Sequence, residues 1–138
     1  MNFAIIVSQF NEDVTNGLLE GAQSFLKEKN ANADVFKSPG AFELPLIAKR
    51  LAKKPKYHGV ICLGCVIKGD TMHFEFISLA ATMGIMQASL ETEKPITFGV
   101  LTTMDEAQAE SRSQKNAENK GIEAAKACWE STLLLKEL

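Results

Sequence analysis

The fold of this chain is decided by the stretch Gly59-Val60-Ile61-Cys62-Leu63-Gly64-Cys65-Val66-Ile67-Lys68-Gly69-Asp70-Thr71-Met72-His73-Phe74-Glu75. Its first half is an unbroken apolar run, which is typical of a strand buried on both faces of a parallel sheet. The run ends at Lys68-Gly69-Asp70, and a helical pattern follows, with Thr71 as the expected cap. A buried strand therefore passes through a short corner into a long helix.

Strands and helices alternate along the rest of the chain. The predicted strands are 3–8, 33–37, 59–67 and 96–101, and the predicted helices are 11–30, 42–53, 72–92 and 122–135, with a further helical segment capped by Asp105. On helix 72–92, one face carries Phe76, Leu79, Ala80, Met83, Gln87 and Leu90. Strands that alternate with helices predict an α/β fold, with a parallel sheet covered on both faces.

Length and composition limit the class of protein. The chain has 138 residues, 46% of them hydrophobic, and a formal net charge of −2. This length fits a single domain, 1–138, and the balanced charge argues against a nucleic-acid partner bound through a broad basic face. No apolar run approaches the roughly 20 residues that span a bilayer. The first residues lack the basic segment of a signal peptide, so we expect a cytoplasmic protein without a membrane partner.

Cys62 and Cys65 form a C-x-x-C pair, which raises the question of a redox or zinc role. Side chains three positions apart in a strand point to opposite faces, so the two thiols are expected to lie apart. A zinc site would also need a second pair of ligands, and the one other cysteine is Cys128. The pair is therefore interpreted as small residues of a buried strand, and no metal is expected.

Ligands of parallel α/β folds bind beyond the carboxyl ends of the strands. The corners there are 9–11, 38–43, 68–73 and 101–103. Phe10, at the first corner, is either a ring that stacks on a ligand or a staple that packs on the next helix. Glu43, at the second corner, either accepts hydrogen bonds from ligand hydroxyls or lies where a helix dipole favours a carboxylate.

The third corner has the features of an anion site, because main-chain N–H groups and the positive end of a helix dipole meet there. Residues 69–71 lack both the phosphate loop and the dinucleotide fingerprint, so the alternatives are a single phosphate or a plain helix cap. A helix N-terminus favours the neutral imidazole, so His73 is either a base near pH 7 or a structural residue. Arg112 and Lys120 are surface cations unless an anion binds them.

Six segments of the chain resemble the lumazine synthase family. They are Gln9-Phe10-Asn11, Pro39-Gly40-Ala41-Phe42-Glu43-Leu44-Pro45, Leu63-Gly64-Cys65-Val66-Ile67-Lys68-Gly69-Asp70-Thr71-Met72-His73-Phe74-Glu75-Phe76, Phe98-Gly99-Val100-Leu101-Thr102, Gln108-Ala109-Glu110-Ser111-Arg112 and Asn119-Lys120-Gly121. They follow the order and spacing of the family and cover nearly the whole chain. The resemblance implies a three-layer, flavodoxin-like sandwich with a four-stranded parallel sheet.

The resemblance also implies an enzyme of riboflavin biosynthesis. The expected reaction condenses 5-amino-6-ribitylaminouracil with 3,4-dihydroxy-2-butanone 4-phosphate to 6,7-dimethyl-8-ribityllumazine, and it releases phosphate and water. No cofactor or metal is expected. Two alternatives stay open: an archaeal-type riboflavin synthase of the same fold, which dismutates lumazine, and a non-catalytic protein that binds lumazine or flavin.

The resemblance assigns a role to each matching position. Phe10 is expected to stack on the pyrimidine, and His73 to move protons. Arg112 of a neighbouring subunit is expected to pair with the phosphate. The other expected contacts are Ala41, Phe42 and Glu43 to the pyrimidine and ribityl chain, Cys65, Val66 and Ile67 to the ring through their backbone, Asp70 and Thr71 to the phosphate, Phe98 from the neighbouring subunit, and Lys120 as a further candidate near Arg112.

The family resemblance implies a homopentamer, and in some members a hollow shell of twelve pentamers. Segment 113–118 replaces the glycine-containing turn of many shell-forming members, and the N-terminal segment is short. Lys68 stands where arginine is common. We therefore expect a free homopentamer whose active sites are shared between neighbouring subunits.

Overall fold

The computed structural model describes residues 1–138, and its centre is a sheet of four parallel strands. They are β1 (Asn2–Ser8), β2 (Asn32–Ser38), β3 (Gly59–Ile67) and β4 (Ile96–Thr103), in the spatial order β2-β1-β3-β4. Ile5 of β1 pairs with Val35 of β2 and Ile61 of β3. The predicted parallel sheet is confirmed, and the carboxyl ends of its strands all lie at one end of the sheet.

Helices cover both faces of this sheet. They are α1 (Glu12–Glu28), α2 (Leu44–Ala52), α3 (His73–Thr92), α4 (Glu106–Ser111) and α5 (Lys120–Glu137), and a 3₁₀ turn at Ala41–Glu43 precedes α2. Residues of α1, α4 and α5 pack on one face, and residues of α2 and α3 pack on the other. The predicted three-layer α/β architecture is therefore confirmed. No helix combines the length and apolar character needed to cross a membrane.

The core consists of two clusters of 15 buried residues, one on each side of the sheet. Ile61 and Leu63 of β3 belong to the cluster under α1 and α5. Val60 and Cys62 belong to the cluster under α2 and α3. Successive side chains of a strand point to opposite faces, so a strand covered on both faces needs an unbroken apolar run. This explains the pattern of β3 in the sequence.

The helix ends agree with the sequence at one cap and differ at another. Asp105 caps α4 as predicted, because its Oδ1 accepts a hydrogen bond from the Gln108 N–H at 2.8 Å. The prediction of Thr71 as the cap of α3 is wrong, since the capping position belongs to Met72, whose side chain makes no capping bond. Thr71 instead accepts a hydrogen bond at Oγ1 from the His73 N–H, at 3.3 Å.

The apolar face predicted for α3 points away from the sheet. Ala81, Ile85 and Ala88 are the residues of α3 that are buried against the sheet. Two of these three residues are alanines, whose small side chains take little space between the helix and the strands. The large side chains remain on the outer surface, where Phe76, Leu79, Met83, Met86 and Leu90 are all at least 60% exposed.

Candidate active site

A cavity of about 430 Å³ lies beyond the carboxyl ends of β1, β2 and β3, and we call it the strand-end pocket. Most of the residues that the sequence predicted for the site line it, and three others join them. The full lining is Phe10, Asn11, Gly40, Ala41, Phe42, Glu43, Cys65, Val66, Ile67, His73 and Ile77. Three separate corners of the chain thus meet at one pocket, as expected for a parallel sheet.

The first corner presents an aromatic ring to the pocket. The Phe10 side chain is 67% exposed, so it is not packed as a staple on α1. Gly40 lies directly beside it, because a Cβ added at Gly40 would be 3.1 Å from Cε2 of the Phe10 ring. An exposed aromatic face next to a residue without a side chain is a surface on which a flat ligand ring can stack.

Asn11 connects the first corner to β3. Its backbone adopts a left-handed conformation, with φ of 57°, which asparagine tolerates better than most residues. Its Nδ2 donates a hydrogen bond to the Cys65 carbonyl at 3.1 Å. The sequence places Asn11 at the corner but assigns it no role. The feature of the sequence that could have revealed this role is an asparagine at the junction of a strand and a helix, because asparagine tolerates the left-handed conformation that such junctions often need.

The second corner is a turn held by its own backbone and by Ser38. The Gln9 N–H donates to the Ser38 carbonyl at 3.0 Å, and Ser38 Oγ donates to the Gly40 carbonyl at 2.8 Å. Glu43 follows in the 3₁₀ turn, immediately before α2, and its carboxylate takes part in none of the ion pairs of the chain. It remains available to accept hydrogen bonds at the pocket.

Cys65 lies in the pocket wall, and its side chain belongs to the buried core cluster under α1 and α5. Burial raises the pKa of this thiol to about 11, and the Glu106 carboxylate adds to the rise. The thiol is therefore not a nucleophile at neutral pH, since only the thiolate reacts. Cys62 and Cys128 are also free and buried. Cys62 lies on the opposite face of β3 from Cys65, which confirms that the C-x-x-C pair is not a redox pair.

The third corner places His73 at the first residue of α3, exposed to solvent on the pocket wall. Asp70 and Thr71 are exposed and lie outside the pocket lining. The Lys68 N–H anchors the corner to β4 through the Thr103 carbonyl at 2.9 Å. Lys68 Nζ also lies 3.8 Å from a Glu75 carboxylate oxygen. An exposed imidazole beside a helix N-terminus is suited to move protons next to an anion.

Phe98 and Arg112 lie elsewhere, in a second cavity of about 550 Å³ beside β4 that we call the β4 pocket. It shares no lining residue with the strand-end pocket. The full lining is Phe98, Val100, Leu101, Thr102, Ser111, Arg112, Glu118, Lys120 and Glu123. A single chain therefore does not bring Phe98 or Arg112 to His73.

The two cations of the β4 pocket differ in their partners. Arg112 Nη1 donates to the Gln108 carbonyl at 2.9 Å and lies 3.3 Å from Ser111 Oγ, but no carboxylate pairs with the guanidinium. Lys120 Nζ pairs with Glu123 Oε1 at 3.0 Å. Arg112 is therefore the cation of this pocket that is free to bind an anion. No group of three or more His, Cys, Asp or Glu side chains is placed to hold a metal ion.

Comparison with known proteins gives one consistent result. Residues 1–136 match the sequence profile of the family described as 6,7-dimethyl-8-ribityllumazine synthase. A relative from Caulobacter vibrioides, named 6,7-dimethyl-8-ribityllumazine synthase 1, is 55% identical over 138 residues, which cover 98% of this chain and 90% of the relative. The match extends through both pockets. This chain belongs to the 6,7-dimethyl-8-ribityllumazine synthase family.

Proposed function

We propose that this chain condenses 5-amino-6-ribitylaminouracil with 3,4-dihydroxy-2-butanone 4-phosphate, and that it forms 6,7-dimethyl-8-ribityllumazine with release of phosphate and water. Membership of the family supports the reaction. The structural observation that carries it is the strand-end pocket. There an exposed ring, an unpaired carboxylate and an exposed imidazole converge from three corners of the chain. Such a pocket suits a flat, hydroxylated substrate whose amine must react beside a phosphate.

The pyrimidine substrate occupies the strand-end pocket in this proposal. Phe10 stacks on the ring, and the Glu43 carboxylate accepts hydrogen bonds from the ribityl hydroxyls. The backbone of Cys65, Val66 and Ile67 lies along the ring edge, and Ala41 and Phe42 complete the wall. Asn11 holds the Cys65 carbonyl through the 3.1 Å bond, so the backbone at the end of β3 is fixed before the substrate arrives.

The butanone phosphate binds at the corner before α3. Its phosphate is held largely by main-chain groups of Asp70 and Thr71, near the positive end of the helix dipole. The amine of the pyrimidine then attacks the ketone and forms an imine with loss of water. Elimination releases phosphate, and the ribitylamine nitrogen closes the ring with loss of a second water. His73 accepts and returns the protons of these steps, while the pocket holds both substrates together.

We propose that the site is completed by Phe98 and Arg112 of a neighbouring subunit in a homopentamer. Two observations support a shared site. Arg112 has no carboxylate partner, and it lies in a pocket separate from His73. The outer face of α3 is also apolar and at least 60% exposed at five large side chains. A helix that is apolar all round is suited to burial on both sides.

We place the enzyme in the cytoplasm. The three cysteines support this location, because they are free thiols and the pair in β3 is held on opposite faces of the strand. Free thiols of this kind are usual in a reducing compartment.

Purified protein mixed with both substrates tests the reaction. Lumazine fluorescence and inorganic phosphate should rise together in equal amounts. Riboflavin formed from lumazine alone would support a riboflavin synthase instead. Tight binding of lumazine without phosphate release would support a carrier. The protein without one of the two substrates is the matched control.

Mixed oligomers test the shared site. His73→Ala and Arg112→Ala impair different halves of the proposed site. Subunit exchange between the two impaired variants should therefore raise the activity above that of either variant alone, because some sites then combine an intact His73 with an intact Arg112. No recovery, with exchange verified by mass, would mean that both residues act from the same chain.

A further inference from the structure

The side chain of Asn119 is the most completely satisfied polar group in the core. The residue is 1% exposed. Its Oδ1 accepts hydrogen bonds from the N–H groups of Gly121 at 2.8 Å and Ile122 at 3.2 Å, which caps α5. Its Nδ2 donates to the carbonyls of Gly17 at 3.0 Å and Gln114 at 2.9 Å. One amide therefore joins the start of α5 to α1 and to the loop before α5.

Glycines on α1 make this contact possible. A Cβ added at Gly21 would lie 2.4 Å from Asn119 Oδ1. A Cβ added at Gly17 would lie 2.2 Å from the Ser113 carbonyl oxygen, which belongs to the backbone of the same loop. Real Cβ atoms do not approach other atoms so closely, so α1 must lack side chains here for the loop to occupy its position.

The loop held in this way is the segment that carries both cations of the β4 pocket. The Lys120 N–H donates to the Arg112 carbonyl at 2.8 Å and closes the loop onto itself. The Arg112 side chain is exposed, and its only bonds run to residues of α4 immediately before it. The direction in which the Arg112 guanidinium points is therefore set by the backbone of the loop rather than by a partner across the pocket.

We propose that Asn119 is a positioning residue for phosphate binding: its buried amide, seated against the two glycines of α1, holds the 112–120 loop so that the Arg112 guanidinium meets the phosphate of the four-carbon substrate. This rests on the proposed function, in which Arg112 binds that phosphate. Asn119 itself touches neither substrate. It acts by fixing the position from which the charge-assisted bonds are made.

Two substitutions disturb the loop in different ways. Asn119→Ser keeps a good capping residue for α5 but removes both donors of the amide. Gly17→Ala keeps Asn119 and displaces the Ser113 carbonyl instead. Leu26→Ala is the matched control, because Leu26 is a 1% exposed core residue of α1 that takes part in none of the hydrogen bonds that hold the loop. Its loss lowers stability without moving the loop.

The measurements are steady-state kinetics with both substrates, inhibition by inorganic phosphate, and the melting temperature. For Asn119→Ser and Gly17→Ala, we expect the phosphate inhibition constant and the KM of the butanone phosphate to rise about three- to tenfold, as partial loss of a charge-assisted bond implies. The KM of the pyrimidine should stay within about twofold. Leu26→Ala should lower the melting temperature and leave both KM values unchanged.

Several outcomes would overturn the proposal. One is an unchanged phosphate inhibition constant in both Asn119→Ser and Gly17→Ala. Another is an equal rise in the KM of the butanone phosphate and the KM of the pyrimidine. The same kinetic change in Leu26→Ala would show that lost stability is the cause. Failure of both loop variants to fold, where Leu26→Ala folds, would assign Asn119 a structural role alone. Wild-type protein that makes no lumazine would refute the proposed function instead, which separates the two failures.

Discussion

His73→Ala tests the chemistry of the proposed site with little disturbance of the fold. His73 is exposed, and its bond to Thr71 Oγ1 uses the backbone N–H, which alanine retains. Alanine is also the best helix former, so the change in unfolding free energy should stay within about 0.5 kcal/mol. A loss of activity in this variant can therefore be assigned to the missing imidazole.

The size of the loss follows from the role assigned to the ring. Proton transfer by a positioned side chain contributes about 10²–10⁴-fold to the rate, which corresponds to about 3–5 kcal/mol of the barrier. The pocket still holds both substrates, and orientation alone can contribute a larger factor. We therefore expect kcat to fall about 10²- to 10⁴-fold while the residual rate stays above that of the substrates without protein.

The assay is lumazine fluorescence at saturating concentrations of both substrates, from about pH 5 to 9. The kcat of His73→Ala is compared with that of the wild type at each pH. Met72→Ala is the matched control, since Met72 is the exposed neighbour at the same corner and has no assigned role. Complete loss of activity in a folded His73→Ala protein would refute the reasoning, because the pocket would then contribute nothing by itself. A fall in kcat of less than about tenfold would show that His73 does not transfer protons in the reaction.

The other predictions concern titration. Burial raises the pKa of the Cys65 thiol to about 11, so iodoacetamide should modify this thiol slowly at pH 7.5 and faster as the pH approaches 11. Cys65→Ala should keep most of the activity. Rapid inactivation of the wild type by iodoacetamide at neutral pH would contradict the buried thiol. Hydrogen bonds from Lys56 and then Tyr57 lower the pKa of the Asp34 carboxyl below its ordinary 3.8, so its stabilising effect is present above about pH 4 and is lost as the pH falls through the lowered value. Melting curves should therefore show Asp34→Asn slightly less stable than wild type near pH 6, by an amount that stays small because the carboxyl is exposed. This difference should shrink as the pH falls below about 4. A difference that grows as the pH falls would refute the argument.

The layers of the fold could be predicted because each strand and helix carries its own hydrophobic period. β3 needs apolar residues on both faces, so its continuous apolar run was sufficient to predict a strand covered on both sides of the sheet. The pair Asn16-Gly17 is typical of a turn, but it lies inside α1, whose helical period continues through it. The Ser113 carbonyl lies against Gly17, which explains the lack of a side chain there. A sequence pattern shows a period, but it does not show which backbone lies opposite a glycine.

The orientation of α3 could not be predicted in the same way. The helix is apolar on several sides, so its period does not identify the face that meets the sheet. The structure places Ala81, Ile85 and Ala88 there, so alanines form most of the face that meets the sheet. The split of the predicted site into two pockets was likewise invisible to spacing. Motifs near the same end of parallel strands are expected to meet, but Arg112 follows the edge strand β4 and lies in its own pocket.

The exposed face of α3 and the divided site have one common explanation in the proposed assembly. Each large apolar side chain left in water forgoes about 25 cal/mol for every Å² that a partner could cover, so the five on α3 provide a driving force for association. Association would also bring a free guanidinium to the phosphate corner of the neighbouring chain. A substrate that binds both subunits then stabilises their contact, because any ligand that prefers the assembled state shifts the equilibrium towards it. In the proposed assembly, subunit association and phosphate binding are therefore coupled, because the neighbouring chain would supply the guanidinium that lies outside the strand-end pocket.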